Sequence, residues 1–194
     1  LDRPPRALAG QAVLDLACGL GESSAYFALR GARVVAVDLA PAMAAMARAV
    51  AGLHGRRADG AAASACRLPF ADGAFDVVYV ANAVHHVQRR DVLLDEIRRV
   101  LRPGGTFVSW DPLAYNPVIG VYRRMAQAVR TEDEEPLRFD IIHLARRRFP
   151  DIRFRCFWIA TLALFLKYWL VDRVHPGSDR YWKRILRETP RTLR

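Results

Sequence analysis

The stretch VLDLACGLGE, residues 13–22, joins a short apolar run to a turn that contains two glycines. The apolar run predicts a buried strand over residues 12–17, and the SSAYFALRG that follows, residues 23–31, has the apolar spacing of a helix. Glycines at such a turn let backbone N–H groups approach a ligand closely. A dinucleotide-binding turn would have a third glycine where Ser24 stands, so the pattern disfavours a pyrophosphate ligand.

The same alternation of apolar strand and helix continues to about residue 112 and predicts an α/β fold with a mostly parallel sheet. Pro41 opens the second predicted helix, where its missing N–H would have no partner in any case. The apolar pattern that predicts a strand is weakest for the third strand, because the surrounding sequence is rich in Ala and Gly. The further predicted elements are strands at 32–39, 61–66, 75–82 and 106–112 and helices at 41–53 and 90–101, with RPGG at 102–105 as the turn before the last strand.

The sequence after residue 112 has a less regular pattern. It predicts a helix at 117–130, an acidic break at 131–135, a helix at 139–149, a strand at 151–158 and an apolar segment at 156–171.

Length and composition restrict the class of protein. A chain of 194 residues that is 52% hydrophobic has the size and the apolar content of one globular domain, which excludes disorder. The three cysteines are far apart, which gives no support to a disulfide framework, and no spacing of His, Cys and carboxylates indicates a metal. The first ten residues lack a secretory signal pattern, so we expect a cytoplasmic location.

The net charge of +10 is unevenly distributed. Basic residues exceed acidic ones by two over residues 1–111 and by eight over residues 112–194. Such an excess indicates a nucleic acid, a membrane surface or an anionic ligand as partner of the second half. Nearly all the cations are arginines, however, and codon usage alone would also produce that bias.

The apolar segment CFWIATLALFLKYWLV, residues 156–171, is shorter than the roughly 20 residues that span a membrane. Arginines flank it, and it contains Trp158, Tyr168 and Trp169, which favours a position at a membrane interface. Burial of this segment against the protein core explains the same composition. Both interpretations, a membrane interface and a buried segment, stay open.

Two carboxylates lie near the carboxyl ends of the first two strands. Asp15 precedes the glycine turn, where it could hold a cationic amino group, and Asp38 ends the second strand, where it could accept hydrogen bonds from a ribose diol. An adenosine with an amino-acid tail would satisfy both carboxylates. Each is also explained as an ordinary cap of the helix that follows it.

Four blocks of this sequence, in this order, resemble class I S-adenosylmethionine-dependent methyltransferases, which have a Rossmann-like fold. They are most similar to the small-molecule branch that includes the ubiquinone and menaquinone biosynthesis methyltransferases. The blocks are VLDLACGLGE, VVAVDLAPAM, CRLPFADGAFDVVYVANAVHHV and RVLRPGGTFV, within residues 13 to about 112. The resemblance implies S-adenosyl-L-methionine as cofactor.

The resemblance also implies which residues surround that cofactor. Asp15, Ala17, Gly19 and Gly21 would surround its methionine part, Asp38 its ribose, Leu39 and Met43 its adenine face, Ala65 and Cys66 the adenine edge, and Asn82 its sulfonium. The sequence departs from the family at Ala17, where a glycine is common, and at Ser64, where an Asp usually accepts from the adenine amino group.

The whole chain, residues 1–194, is expected to be a single domain of this fold, with a cofactor-binding half at 1–111 and a substrate-side half at 112–194. The family implies a final antiparallel strand, which YWKRILRE at 181–188 would supply. The apolar and basic residues 156–179 would then be an insertion over the substrate end of the sheet. The helices that normally precede the first strand and cover the active site are expected to be absent or cut away.

Methyl transfer from a sulfonium depends mainly on alignment, and a base is needed only where the acceptor must lose a proton. His85 and His86, just past the fourth strand, are the candidate catalytic residues, and Asp111 and Tyr115 are second candidates. The alternative is that one histidine packs under the loop and the other is solvated.

We therefore expect a methyltransferase that modifies an oxygen or carbon of a hydrophobic small molecule or lipid-like acceptor, with peripheral membrane contact left open. An RNA methyltransferase that uses the basic second half is one alternative, although the ANAVHH sequence and the lack of a stacking module make nucleic acid a disfavoured partner. A cofactor-binding protein without catalysis is the other.

Overall fold

The computed structural model describes residues 8–114 and 135–156. Their five strands form one sheet in the order β3-β2-β1-β4-β5, and all neighbouring strands are parallel. The strands are β1 (Ala12–Leu16), β2 (Arg33–Asp38), β3 (Ala58–Ala62), β4 (Phe75–Ala81) and β5 (Leu101–Trp110). The helices are α1 (Glu22–Leu29), α2 (Pro41–Leu53), α3 (Arg90–Val100) and α4 (Asp140–Arg146). The predicted α/β class with a mostly parallel sheet is confirmed.

The chain divides into two compact units. The first comprises residues 1–113 and 130–151, and it contains the whole of the described sheet. The second comprises residues 114–129 and 152–194, of which the structure describes 114 and 152–156. The single-domain organisation expected from the sequence stays a prediction.

The core lies on both faces of the sheet because β1 is central and buried on both sides. Leu14 and Leu16 pack with Ile97 of α3, whereas Val13 packs with Ala28 of α1 on the opposite face. Full burial of side chains of this size contributes roughly 1.5–3 kcal/mol each. The two-sided burial fixes the position of the β1 end, where the glycine turn begins.

The third strand lies at Ala58–Ala62, earlier than the predicted 61–66, so that prediction is wrong in its boundaries. Helix α2 packs very closely on β3, because a Cβ atom at Gly60 would lie 2.5 Å from the carbonyl oxygen of Ala44. Only small residues fit at such a contact. This close packing explains why β3 lacks the apolar pattern that marks the other strands.

The RPGG sequence, residues 102–105, lies within β5 and is not a separate turn, so that prediction is also wrong. Helix α3 leads directly into the strand, and the pairing of β5 with β4 has a register shift between Leu101 and Thr106. Gly104 has φ 75°, a left-handed conformation that glycine adopts without steric cost. The extra residues therefore form an irregularity inside the strand.

Helix α4 confirms the helix predicted over 139–149, although it is shorter. Residues 152–156 are not in a strand, so the strand predicted at 151–158 is wrong for its described part. The helix at 117–130, the final strand at 181–188, Tyr115 and residues 157–179 of the apolar, basic insertion lie outside the described residues. Within the part of the chain that is described, no helix has the length and apolar character needed to cross a membrane.

Candidate cofactor and acceptor site

The candidate site lies at the edge of the sheet where the parallel strands have their carboxyl ends. β1 and β4 are neighbours there although β2 and β3 separate them in the chain. Open α/β sheets bind ligands outside the strand ends at such a reversal of strand order. Four of the sequence-predicted candidates lie at or just past strand ends on this edge, namely Ala17 at β1, Asp38 at β2, Asn82 at β4 and Asp111 at β5.

The turn after β1 has left-handed backbone at three positions, with φ 58° at Ala17, 50° at Gly19 and 83° at Gly21. A Cβ atom at Gly21 would overlap Ala47 of α2, so this glycine allows α1 and α2 to pack together. A Cβ atom at Gly19 would meet nothing within 4 Å. Gly19 therefore borders open space, and Ala17 has a conformation that costs an L-residue roughly 1–2 kcal/mol.

Asp15 is buried, with 2% of its surface exposed. The hydroxyl of Ser24, on the first turns of α1, donates a hydrogen bond of 2.6 Å to Asp15 Oδ2. Burial raises the pKa of Asp15 to about 6, the hydrogen bonds from Ser24 oppose that rise, and repulsion from Asp38 adds to it. No cation among the described residues pairs with Asp15. The described residues therefore hold the carboxylate in place without compensating its charge.

Asp38 connects the glycine turn to the end of β2. Its Oδ2 accepts a 3.0 Å hydrogen bond from the backbone N–H of Gly19, and its Oδ1 accepts one of 3.0 Å from the N–H of Ala40 at the start of α2. The second bond forms a turn just before α2 and is not a helix cap, because Ala40 is itself the N-cap residue and no side chain caps that helix, so the cap interpretation is wrong for Asp38. Ionised carboxylate oxygens have about four acceptor positions in all, so capacity remains for ribose hydroxyls.

These hydrogen-bond acceptors fit the expected cofactor. S-Adenosylmethionine has an ammonium group, a sulfonium and a ribose diol, whereas the turn offers two carboxylates, one of them buried without a counter-charge, beside an open glycine. Across residues 8–114 and 135–156 there is no cluster of three side chains suited to a metal ion. Two carboxylates beside an open glycine suit a ligand that carries a positive charge and hydroxyl groups.

The residues expected at the adenine lie on two loops that are tied together. Leu39 is 77% exposed and follows Asp38, whose carbonyl oxygen accepts from the N–H of Ala63 in the loop after β3. In that loop Ser64 Oγ accepts from the N–H of Cys66 at 3.2 Å. Ser64 thus shapes the loop at the position where the family usually has an Asp. Met43 and Ala65 are half-buried.

Past β4, Asn82 has φ 52°, and its N–H donates a 2.7 Å hydrogen bond to the carbonyl oxygen of Trp110 in β5. Asn tolerates this left-handed conformation better than most residues. A non-glycine residue in that region just past the end of β4 places strained backbone next to the expected reacting centre.

His85 and His86 form a short 3-10 turn after β4, and their rings lie 4.1 Å apart between centroids. The His85 ring is buried and its Nδ1 lies 2.8 Å from Asp111 Oδ1, while His86 is exposed. Asp111, a second catalytic candidate, is itself buried on His85, with 2% of its side chain exposed. The structure thus brings together two residues that the sequence named separately.

The sequence did not assign a role to Ser24, which is fully buried on Asp15, or to Glu135. The N–H of Glu135 donates to the carbonyl oxygen of His85, and Arg90 donates to Glu135. A small hydroxyl residue on the core side of α1 is the signal that could have identified Ser24. No local signal identifies Glu135, because it lies fifty residues beyond His85 in the chain.

The sequence of residues 14–109 matches a family described as a methyltransferase domain. A demethylmenaquinone methyltransferase of Beutenbergia cavernae is 35% identical over 153 residues, which cover 73% of this chain and 60% of that protein. A ubiquinone/menaquinone biosynthesis C-methyltransferase of Rubrivivax gelatinosus is 39% identical over 100 residues, which cover 52% of this chain and 39% of that protein. The chain thus spans about 40% to 60% of the length of these relatives.

The crystal structure of the YcgJ protein from Bacillus subtilis superimposes with a TM-score of 0.61 and 24% identity, covering 72% of this chain and 61% of that one. This likeness shows the fold. The sequence match over residues 14–109 and the quinone-methyltransferase relatives identify that part of the chain as a methyltransferase domain. This part of the chain belongs to the class I S-adenosylmethionine-dependent methyltransferases.

Proposed function

We propose that this protein transfers a methyl group from S-adenosylmethionine to a carbon or oxygen of a hydrophobic small molecule. The observation that carries the proposal is the pair of carboxylates, Asp15 and Asp38, at the ends of adjacent central strands beside an open glycine turn. The names of the relatives support a quinone-type ring as acceptor. They favour neither RNA as the methyl acceptor nor the alternative of a cofactor-binding protein without catalysis.

The residues of this chain bind and orient the reactants. Asp15 holds the amino group of the cofactor, Asp38 accepts from its ribose hydroxyls, and the backbone from Ala17 to Gly21 lies along its amino-acid tail. Leu39 and Met43 cover the adenine face, and Ala65 and Cys66 border its edge. When bound, the cofactor supplies a methyl group on a sulfonium, next to Asn82 in this proposal.

Alignment of the acceptor with this methyl group supplies most of the rate acceleration, because charge disappears in the displacement and little acid–base chemistry is required. A hydroxylated or quinol ring must also lose a proton in the overall reaction. The two imidazoles of His85 and His86, which follow β4 directly, are the proton acceptors at this edge.

We further propose that the acceptor is taken from a membrane surface by the apolar and basic segment 156–179. The segment combines Trp158, Tyr168 and Trp169 with flanking arginines, a composition that favours the headgroup region. Co-sedimentation with vesicles of anionic and of neutral phospholipid tests this step. Retention that survives 0.5 M salt supports apolar contact, and no retention on either vesicle contradicts it.

The proposed reaction is tested by incubating the protein with methyl-labelled cofactor and a demethylated naphthoquinol, with a short-chain phenol and RNA as alternative acceptors. We expect label in the quinol or phenol fraction and none in RNA. Label found only in RNA would contradict the proposal, as would tight cofactor binding without turnover on any of the three or on a lipid extract.

A further inference from the structure

A histidine and a carboxylate that are 26 residues apart in sequence meet where β4 and β5 end. His85 Nδ1 lies 2.8 Å from Asp111 Oδ1, and only 7% and 2% of the two side chains are exposed. The same Asp111 oxygen accepts from the backbone N–H of His85 at 3.3 Å. Ser109 Oγ donates to the other oxygen at 3.0 Å. The carboxylate is therefore oriented by donors on both of its oxygens.

This contact determines which nitrogen of His85 carries the proton in the neutral ring. An ionised carboxylate only accepts hydrogen bonds, so Nδ1 must be the donor. The lone pair of the neutral imidazole is then on Nε2. Without the carboxylate, the two tautomers would both be populated.

The backbone of His85 is fixed from the opposite side. Its carbonyl oxygen accepts a 2.9 Å hydrogen bond from the N–H of Glu135, and Arg90 donates to both the carbonyl oxygen and the carboxylate of Glu135. A group whose ring and backbone are both held loses little conformational freedom when it acts, which is the property required of a catalytic base.

We propose that Asp111 is a positioning residue that holds His85 with its proton on Nδ1, so that Nε2 accepts the proton that the methyl acceptor loses. The inference rests on the proposed methyl transfer. The acceptor O–H or C–H bond breaks, its proton goes to Nε2, and its electron pair forms the bond to the methyl carbon. The electrons of the carbon–sulfur bond stay on sulfur, and the imidazolium later releases its proton to water.

The tautomer is tested without cofactor by nitrogen-15 NMR of the histidine rings between pH 5 and 9. In the wild-type chain, we expect the neutral His85 ring to be protonated on Nδ1, with resonances assigned by comparison with His85→Gln. In Asp111→Asn we expect mixed tautomers. Asp91→Asn, which removes an exposed carboxylate paired with Arg89, is the control and should leave the His85 signals unchanged. A neutral His85 ring protonated on Nε2 in the wild-type chain would overturn the inference.

Kinetics separate positioning from a purely structural role. We expect Asp111→Asn to lower kcat about 100-fold with KM nearly unchanged, and to move the acidic limb of the pH profile to lower pH. His85→Gln should lower kcat at least as much and abolish that limb. Unchanged kcat and pH profile in Asp111→Asn would overturn the inference while leaving the proposed function intact. If the wild-type chain shows no turnover but its tautomer is as expected, the failure lies with the proposed function.

Discussion

The site contains two buried aspartates that differ in their surroundings. Asp111, past β5, lies against His85, a residue whose protonated form would neutralise it. Asp15, at the end of β1, has a hydroxyl donor in Ser24 but no cation among the described residues, and repulsion from Asp38 adds to the burial that raises its pKa. A buried charge without a partner is costly, and we therefore propose that the partner of Asp15 is a ligand, whereas that of Asp111 is part of the protein.

Substitution of Asp111, which breaks its contact with His85, should clearly lower the stability of the protein. Asp111→Ala leaves the Nδ1–H group of the neutral His85 ring buried without an acceptor, and we expect the free energy of unfolding to fall by roughly 1–3 kcal/mol. Urea denaturation of both proteins measures the change. The matched control is Asp59→Ala, an exposed carboxylate paired with Arg57, which should cost less than about 1 kcal/mol. If Asp111→Ala and Asp59→Ala lost the same stability, the buried contact of Asp111 with His85 would contribute no more than an exposed ion pair.

At Asp15 we expect the opposite result, namely that a substitution raises the free energy of unfolding. Asp15→Asn removes a buried charge, so the protein without cofactor should become more stable at pH 7, by about 3 kcal/mol. The same substitution should weaken binding of S-adenosylmethionine about 100-fold, because the ammonium loses its counter-charge. Thermal unfolding with and without cofactor measures both effects in one experiment. A destabilised variant whose affinity is unchanged would contradict the assignment.

In the wild-type protein, the cost of the buried Asp15 charge should make stability depend on pH. The pKa of Asp15 is raised from 3.8 to about 6, so between these values the folded state binds more protons than the unfolded state. The contribution of protonated Asp15 to the stability of the folded state is therefore complete below about pH 4, and it is lost as the pH rises to about 6. Cofactor affinity should change in the opposite direction and increase from pH 5 to pH 7. Asp15→Asn is the control in which both changes should be reduced.

A smaller effect is expected at Asp38, because its oxygens already accept from two backbone N–H groups. Asp38→Asn keeps one acceptor oxygen and should weaken cofactor binding about 10-fold. Adenosine should lose the same factor as S-adenosylmethionine if the contact is to the ribose. Free methionine should be unaffected, and loss of affinity for methionine would place Asp38 at the tail instead.

The sequence predicted the part of the site that depends on strand ends. Asp15 and Asp38 each lie near the carboxyl end of an apolar run, and parallel strands place such residues on one edge, so the amino-acid pattern alone implies their proximity. The role of Ser24 could not be inferred in this way, because it depends on the rotation of α1 against β1. The pairing of His85 with Asp111 depends on β4 and β5 being neighbours and on the bulge that sets their register.

The errors have a common physical cause, which is that backbone packing determined structure where side-chain pattern was weak. The third strand was placed too late because Gly60 and its neighbours are small in order to admit α2. The RPGG sequence has the composition of a turn, yet the strand continues through it with a register shift. Local propensity is a weak predictor wherever tertiary contacts compete with it.

The central claim is that Asp15 binds a cationic ligand, and calorimetric titration of the wild-type protein with S-adenosylmethionine at pH 7.5 and pH 5.5 tests it most directly. We predict saturable binding to one site, several-fold weaker at pH 5.5, and a loss of that pH difference in Asp15→Asn. Absence of heat at millimolar concentration, or the same affinity at both pH values in the wild-type protein, would contradict it.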